Sequence, residues 1–337
     1  MKKLFSLLIV SIFFGAKAFA GGIDIVPTMM SKSAEQDRVW AGTFQLVWND
    51  FMDKYVHNNV RFKDGTPDVV WELNSQSFTE DDISDKSYYK ISTKIKKNTK
   101  KKISKAIKRK FKETSDIIDK LDLTPSPNNF LIYAMLKKEF EFMTAFDELG
   151  KSNFGENQEA EYFGINDKSD PKLLKYVKVL FYNSANDYAV MLKTKKGDEV
   201  YLYKTSNNKP FKLLYKDMRK KEGKFEGDKS LKDIDELKIP NIKFFTEKNF
   251  TELANKRALG TNIFINQALE TIKFEMDHKG VKLKSEAAIT MTTTSFNPIP
   301  NLPRLFYFDD TFVIFLIEKE KKNPYFALRV NDITKFQ

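Results

Sequence analysis

The 337-residue chain contains no cysteine. That excludes disulfides, a thiol nucleophile, thiolate metal sites and a lipid-modified N-terminal cysteine. Histidine is almost as scarce: His57 lies in a polar turn, and His278 in the charged run D-H-K-G. There is no H-E-x-x-H, no G-x-S-x-G and no P-loop, so a histidine-based triad or a zinc site would lack partners. No enzyme activity, cofactor or metal is therefore expected. The acidic pairs Asp81–Asp82 and Asp309–Asp310 read as surface turns rather than paired catalytic carboxylates. The one long apolar run spans 4–14, preceded by Lys2 and Lys3 and followed by Ala18-Phe19-Ala20. A basic start, a short apolar centre and a small-x-small cleavage site make a secretory signal peptide, since a membrane span needs about 20 apolar residues. Residues 1–20 are thus expected to be removed. The remainder is expected to be soluble, without a membrane span, and secreted or periplasmic. An exported chain without cysteine suits a bacterium.

What remains is globular in composition, with 41% apolar residues, and long enough for one large core. Without internal repeats or a low-complexity linker, 21–337 is expected to form a single monomeric domain of mixed α+β class. Part of the formal charge of +11 is local. Eleven Lys and Arg residues fall between Lys94 and Lys112, with no acidic residue before Glu113. Lys97, Lys101, Lys105, Lys108, Arg109 and Lys112 are the candidate residues for an anionic polysaccharide or phosphate polymer, held through counterion release. A solvated helix face is the more frequent fate of such a run. Aromatic interleaving is missing, so no specific nucleic acid is expected.

Periodicity predicts a buried helix over 39–56, carrying Trp40 and Trp48 into the core, and an extended stretch over 60–78. A long helix is predicted over 94–121, broken by D-L-T-P-S-P-N-N at 122–129. Strands are predicted over 130–136, 176–183, 186–193, 199–204 and 238–245, with Lys195-Lys196-Gly197-Asp198 as a hairpin turn. A charged loop is expected over 219–235 and a short helix over 250–258.

The closing stretch F-Y-F-D-D-T-F-V-I-F-L-I-E-K-E-K-K-N-P-Y-F-A-L-R-V (306–330) resembles the last strands of the serpins, suicide inhibitors of serine proteases. D-H-K-G-V-K-L-K-S-E-A-A-I-T (277–290) is similar to the serpin strand that runs into the reactive loop. L-K-I-P-N-I-K-F with F-T-E-L-A-N-K-R-A-L-G, and L-I-Y-A-M-L-K-K-E-F-E-F-M-T-A-F, resemble further serpin segments in the family's order. The likeness covers 131 onward. At two positions the chain departs from the family: Phe142 stands where serpins usually carry Trp, and Glu270 where they usually carry His.

The resemblance implies a serpin-like α+β fold, with large, mostly antiparallel central sheets, helices and an exposed reactive-type loop at 285–303. It implies inhibition of a serine protease, which attacks the loop, after which the cut loop enters the central sheet as a new strand. The implied hinge is Gly280, Ser285, Glu286, Ala287, Ala288 and Thr290. The candidate scissile region is Thr294, Ser295, Phe296 and Asn297. Counting from Gly280 puts the bond at Thr294–Ser295, aligning S-E-A-A puts it near Pro298, and counting back from Phe312 gives Pro300. Phe296–Asn297 would suit a chymotrypsin-like protease. In the Gly280 register Lys282 and Lys284 fall in the inserting segment, where every second side chain is buried. A buried unpaired lysine costs on the order of several kcal/mol, which favours the S-E-A-A register or no insertion. The alternative is a non-inhibitory serpin-like binding protein that uses the basic segment at 94–112, since some serpins bind heparin through a basic helix. Pro298, Pro300 and Pro303 fit it, because they stiffen the second half of the loop.

Overall fold

The structure, a computed structural model, describes residues 22–115, 117–125, 130–282 and 303–337. The signal-type segment 1–20 lies outside the described residues. Strands β1 (Asp24–Ile25) and β2 (Arg38–Ala41) lead into helix α1 (Thr43–Phe51), which a π-turn extends to Val56. Helix α2 (Asp68–Asn74), strand β3 (Tyr88–Lys94) and helix α3 (Thr99–Phe111) follow. Then come β4 (Phe130–Leu136), β5 (Glu139–Glu141), β6 (Asp147–Phe154), β7 (Gln158–Ile165), β8 (Val177–Ser184), β9 (Asp187–Lys193) and β10 (Asp198–Lys204). Helix α4 (Phe211–Lys224) precedes β11 (Glu236–Pro240), β12 (Ile242–Asn249), β13 (Lys256–Arg257), β14 (Phe264–Ile265), β15 (Leu269–Asp277) and β16 (Gly280–Lys282). The chain closes with β17 (Leu305–Tyr307), β18 (Phe312–Glu318) and β19 (Phe326–Val330).

These strands make a seven-stranded sheet in the order β1-β2-β19-β18-β10-β9-β8. Two four-stranded sheets (β17-β11-β7-β6 and β12-β15-β16-β5) and the pairs β3-β4 and β13-β14 complete the set. Neighbouring strands are antiparallel except β1–β2 and β11–β17. The middle of the seven-stranded sheet is covered on both faces, which is why β18 reads F-V-I-F-L-I without alternation: its first six residues are all buried. One continuous apolar core joins the three large sheets. A smaller one seats Ile103, Ile107 and Phe111 of α3 on Leu131 and Tyr133 of β4.

The predicted strand over 130–136 coincides with β4, and β8, β9 and β10 follow their predicted spans closely. Elsewhere tertiary pairing overrides local pattern. Val39 and Trp40 belong to β2, paired with β19, so the helix predicted over 39–56 begins only at Thr43. Trp40 and Trp48 are both core residues, as expected. Within 60–78, Pro67 opens helix α2, whose Val70 and Leu73 are buried. The helix predicted over 94–121 shrinks to α3. Its front is taken by β3, and Lys112 ends it in the left-handed region at φ 61°. Helix α4 occupies the start of the expected loop at 219–235, burying Phe211, Leu214 and Met218. The strand over 238–245 is two strands in different sheets, divided at Asn241. The helix expected over 250–258 is a run of turns ending in β13.

Gly164 shows how tightly the sheets are drawn together. A Cβ there would lie 1.8 Å from the Leu237 carbonyl oxygen, across the register that joins β7 to β11. Gly164→Ala must push these strands apart and is expected to destabilise by about 1–3 kcal/mol. The check is urea unfolding, with a lower midpoint and an unchanged slope.

Candidate functional site

Strands β15 and β16 form a tight hairpin with His278 and Lys279 at its tip. Asp277 makes the turn: its Oδ1 accepts from the backbone N–H of Lys279 at 2.8 Å and of Gly280 at 3.2 Å. The tip is held from outside. Phe142 N–H donates to the Lys279 carbonyl and Phe146 N–H to the His278 carbonyl, each at 2.9 Å. The His278 Nδ1 lies 3.1 Å from the Glu148 carboxylate. Phe142, in the position of the family's Trp, is buried against Phe146 with ring centroids 5.0 Å apart. Gly280 sits in the strand rather than in the turn itself. A Cβ there would stand 2.3 Å from the Phe140 carbonyl oxygen, so only glycine allows this approach.

Strand β16 is antiparallel to β15 on one side and to β5 on the other, so β15 and β5 run parallel. Val281 stands opposite Met276 and Phe140, all three buried. Lys282 stands opposite Glu275 and Glu139 and is half-buried. Successive strand residues face opposite sides, so β16 sends odd-numbered side chains inward and even-numbered ones outward. On β15 the buried residues are Glu270, Ile272, Phe274 and Met276 on one phase, with Glu275 buried on the other. Lys282 is half-buried opposite Glu275, and Lys284 lies outside the described residues.

The described part of β16 ends at Lys282. β15 over Leu269–Phe274 has no strand partner on that side among the described residues, and β4 is paired with β3 alone. Both line a cavity of about 230 Å³, floored by Phe44, Trp48 and Phe51 of α1. The upper corner is fixed by Lys138, between β4 and β5. Its ammonium lies 2.9 Å from Asp198, also contacts Glu318, and stands over the Tyr325 ring. Burial raises the Asp198 carboxyl above its usual range despite Lys138.

Glu270 is among the residues around this cavity. It is buried, and neither carboxylate oxygen is open to solvent. Desolvation pushes its carboxyl up to about 8, with the Phe44 backbone N–H the one opposing influence. The signal that could have found it is the period-2 alternation through E-T-I-K-F-E-M, which puts Glu270 on the face of Ile272 and Phe274. The cavity had no sequence signature, because it arises from strands that do not pair.

Of the sequence-predicted hinge, Gly280 is the described member. Ser285, Glu286, Ala287, Ala288 and Thr290 lie outside the described residues, as do Thr294, Ser295, Phe296 and Asn297. Lys97, Lys101, Lys105, Lys108, Arg109 and Lys112 are all exposed on or beside α3, away from its apolar face. His57 is exposed at the end of the π-turn. Both acidic pairs have local partners. Asp82 accepts from Thr79 N–H and Asn323, Asp309 pairs with Lys204 at 2.9 Å, and Asp310 accepts from Thr311 N–H. Among the described residues no group of three acidic or histidine side chains is arranged to hold a metal. No helix among them is long and apolar enough to cross a membrane.

No family model and no curated protein matches the sequence. Solved structures do match by shape. The Arabidopsis serpin AtSerpin1, in its native stressed conformation, aligns with 90% of this chain and 92% of its own at 13% identity, with a TM-score of 0.52. Serpin48 from the insect Tenebrio molitor covers 82% of this chain and 72% of its own at 12% identity and a TM-score of 0.44. Thyroxine-binding globulin in complex with thyroxine covers 68% and 63% at 13% identity and a TM-score of 0.46. The chain has a serpin-like fold.

Glu270 gives this site a pH signature. An unfolded chain ionises the group near 4.5, whereas the folded state holds the proton up to about 8. The folded state therefore loses stability as pH rises from about 4.5 to about 8 and is level above. Glu270→Gln has no charge to bury. It is expected to match the wild type near pH 4.5 and to exceed it above pH 8 by on the order of 5 kcal/mol. Urea unfolding at the two pH values checks this, and an equal gap at both would contradict it.

Proposed function

We propose that this chain is an exported suicide-type inhibitor of serine proteases, with the segment 283–302 as its reactive loop and the gap between β15 and β4 as the place that receives it. The seat of β16 carries the reading: the segment enters the loop already wedged between two parallel strands, directly above an open gap. Counted on in the same register, the inward set is Leu283, Ser285, Ala287 and Ile289, all apolar or small. Lys284, Glu286 and Thr290 fall on the outward phase. Ala287 comes opposite Glu270. An inserted strand would thus satisfy two unpaired edges without burying a lysine.

The chemistry belongs to the protease. Its serine oxygen attacks the carbonyl carbon of the scissile bond, and the peptide nitrogen leaves, protonated, as the new amino terminus of the fragment that contains β17. The ester then tethers the protease to the loop's N-terminal part. This chain's share is to present the bond and then move the tethered segment into the gap faster than water hydrolyses the ester. The seat of Gly280 supports counting from that residue, which puts the bond at Thr294–Ser295 within the window Thr294–Asn297.

A second reading is favoured by α3. Six basic side chains, Lys97, Lys101, Lys105, Lys108, Arg109 and Lys112, are exposed together, and none is ion-paired among the described residues. That surface suits a sulfated or phosphorylated polymer. On this reading the loop is cut without capture.

Incubation with chymotrypsin and elastase, followed by denaturing electrophoresis, separates the two. Inhibition predicts a covalent band at the summed mass and a released C-terminal peptide that begins within 295–297. Parity predicts that Ala287→Arg converts the chain to a substrate, cleaved without a band, whereas Ala288→Arg keeps the band. Cleavage without a band in the unaltered chain would overturn the inhibitor reading, and equal effects at both alanines would overturn the register.

A further inference from the structure

Three of the seven large apolar side chains that stand exposed among the described residues, Trp71, Leu259 and Phe264, gather on one face. The hairpin of β13 and β14 builds it. Its ladder runs on toward the tip, where Ala258 N–H donates to the Ile263 carbonyl at 3.0 Å. The extended piece 61–63 joins the other edge of β13. Leu259 N–H donates to the Arg61 carbonyl at 2.8 Å, and Lys63 N–H to the Arg257 carbonyl at 3.2 Å. The residues paired between these bonds, Phe62 and Ala258, are buried. Successive residues face opposite sides, so Arg61, Lys63, Arg257 and Leu259 are exposed together. Phe264, opposite Arg257, shares their side. Trp71 of α2 packs on Arg61, whose guanidinium lies 5.5 Å from the ring centroid.

We infer that this face docks on an anionic phospholipid surface. Leu259, Phe264 and Trp71 enter the headgroup region, while Arg61, Lys63 and Arg257 meet the lipid phosphates. Apolar side chains gathered on one exposed face mark an interaction site, and the cations decide the partner. None of the three is ion-paired among the described residues: Arg61 stands over Trp71, and Arg257 reaches Asn262 Oδ1 at 3.5 Å. Asp64 and Asp68 border the face and are outnumbered by Arg61, Lys63, Arg257 and the half-buried Lys256. The hairpin tip stands clear of the body, since nothing lies within 4 Å of a Cβ built on Gly260. A protruding tip with both apolar and basic side chains suits a deformable surface that takes up apolar area and attracts cations at once. Tryptophan and arginine each have an apolar body and a polar end, which fits them to that depth. Neither the loop at 283–302 nor the gap beside β15 takes part, so the inference stands apart from the protease reading.

Trp71 serves as the reporter, because the other two tryptophans, Trp40 and Trp48, are buried. The full chain is titrated with phosphatidylcholine vesicles that contain or lack phosphatidylglycerol, and tryptophan emission is followed. Vesicles with phosphatidylglycerol are expected to shift the emission to shorter wavelength, and brominated acyl chains to quench it. Vesicles without it are expected to bind on the order of 100-fold more weakly, about fivefold for each of the three cations. Arg257→Glu is expected to weaken binding to the acidic vesicles on the order of 10-fold. Leu259→Ser is expected to weaken it about fivefold while leaving the preference for acidic lipid unchanged. Both positions are exposed, so the fold is kept. A chain held only by its apolar run at 4–14 would sediment with the vesicles yet leave Trp71 unquenched, and that result overturns the inference. Equal responses to both vesicle types overturn it, as does wild-type binding by either variant. A shift that grows with protein concentration in the absence of lipid would assign the face to a second copy of the chain, and overturns the lipid assignment.

Discussion

A strand that joins two parallel strands must run antiparallel to both, and its side chains must keep their phase. Everything at the candidate site follows from that constraint. The Asp277–Gly280 turn reverses the chain, the missing Cβ of Gly280 lets it pass the Phe140 carbonyl, and Val281 drops into the core beside Met276. The segment K-L-K-S-E-A-A-I-T alternates long polar residues with small or apolar ones, and only one of its two phases can be buried without isolating a lysine.

The gap below the wedge persists because its surroundings are held apart. Lys138 ties the junction of β4 and β5 to Asp198 and Glu318 on the seven-stranded sheet. The outer face of β4 is occupied by α3. Glu270 adds a polar group that an apolar closure of β15 onto β4 would leave buried and unpartnered. Among the described residues β15 and β4 thus each keep an open edge beside a buried carboxyl. Removing the carboxyl should make the present state more stable, and so less disposed to accept another strand.

Much of this was legible in the sequence where local pattern and tertiary environment agree. Strands β4 and β8 to β10 carry β-branched and aromatic runs with clear turns between them. The terminal segment around Phe312 and the D-H-K-G turn carry the family likeness in their order along the chain. Legibility failed where pairing partners lie far along the chain. Val39 and Trp40 have helical spacing, yet their neighbours are Leu328 and Ala327 on β19. The strand over 238–245 gave no sign that Asn241 sends its halves into different sheets. The acidic residue at 270 was visible as a departure from the family. That it faces a cavity depends on two strands failing to meet, which no single stretch of sequence encodes.

Suicide inhibition requires that the cut loop enter the central sheet as a new strand. Thermal unfolding before and after a single proteolytic cut within Thr294–Asn297 tests it most directly. If the cut segment enters between β15 and β4, the nicked protein, still holding both fragments, melts well above the intact one. A nicked protein that melts at the same temperature or lower would mean that the gap does not accept the loop, and the account would fail at its root.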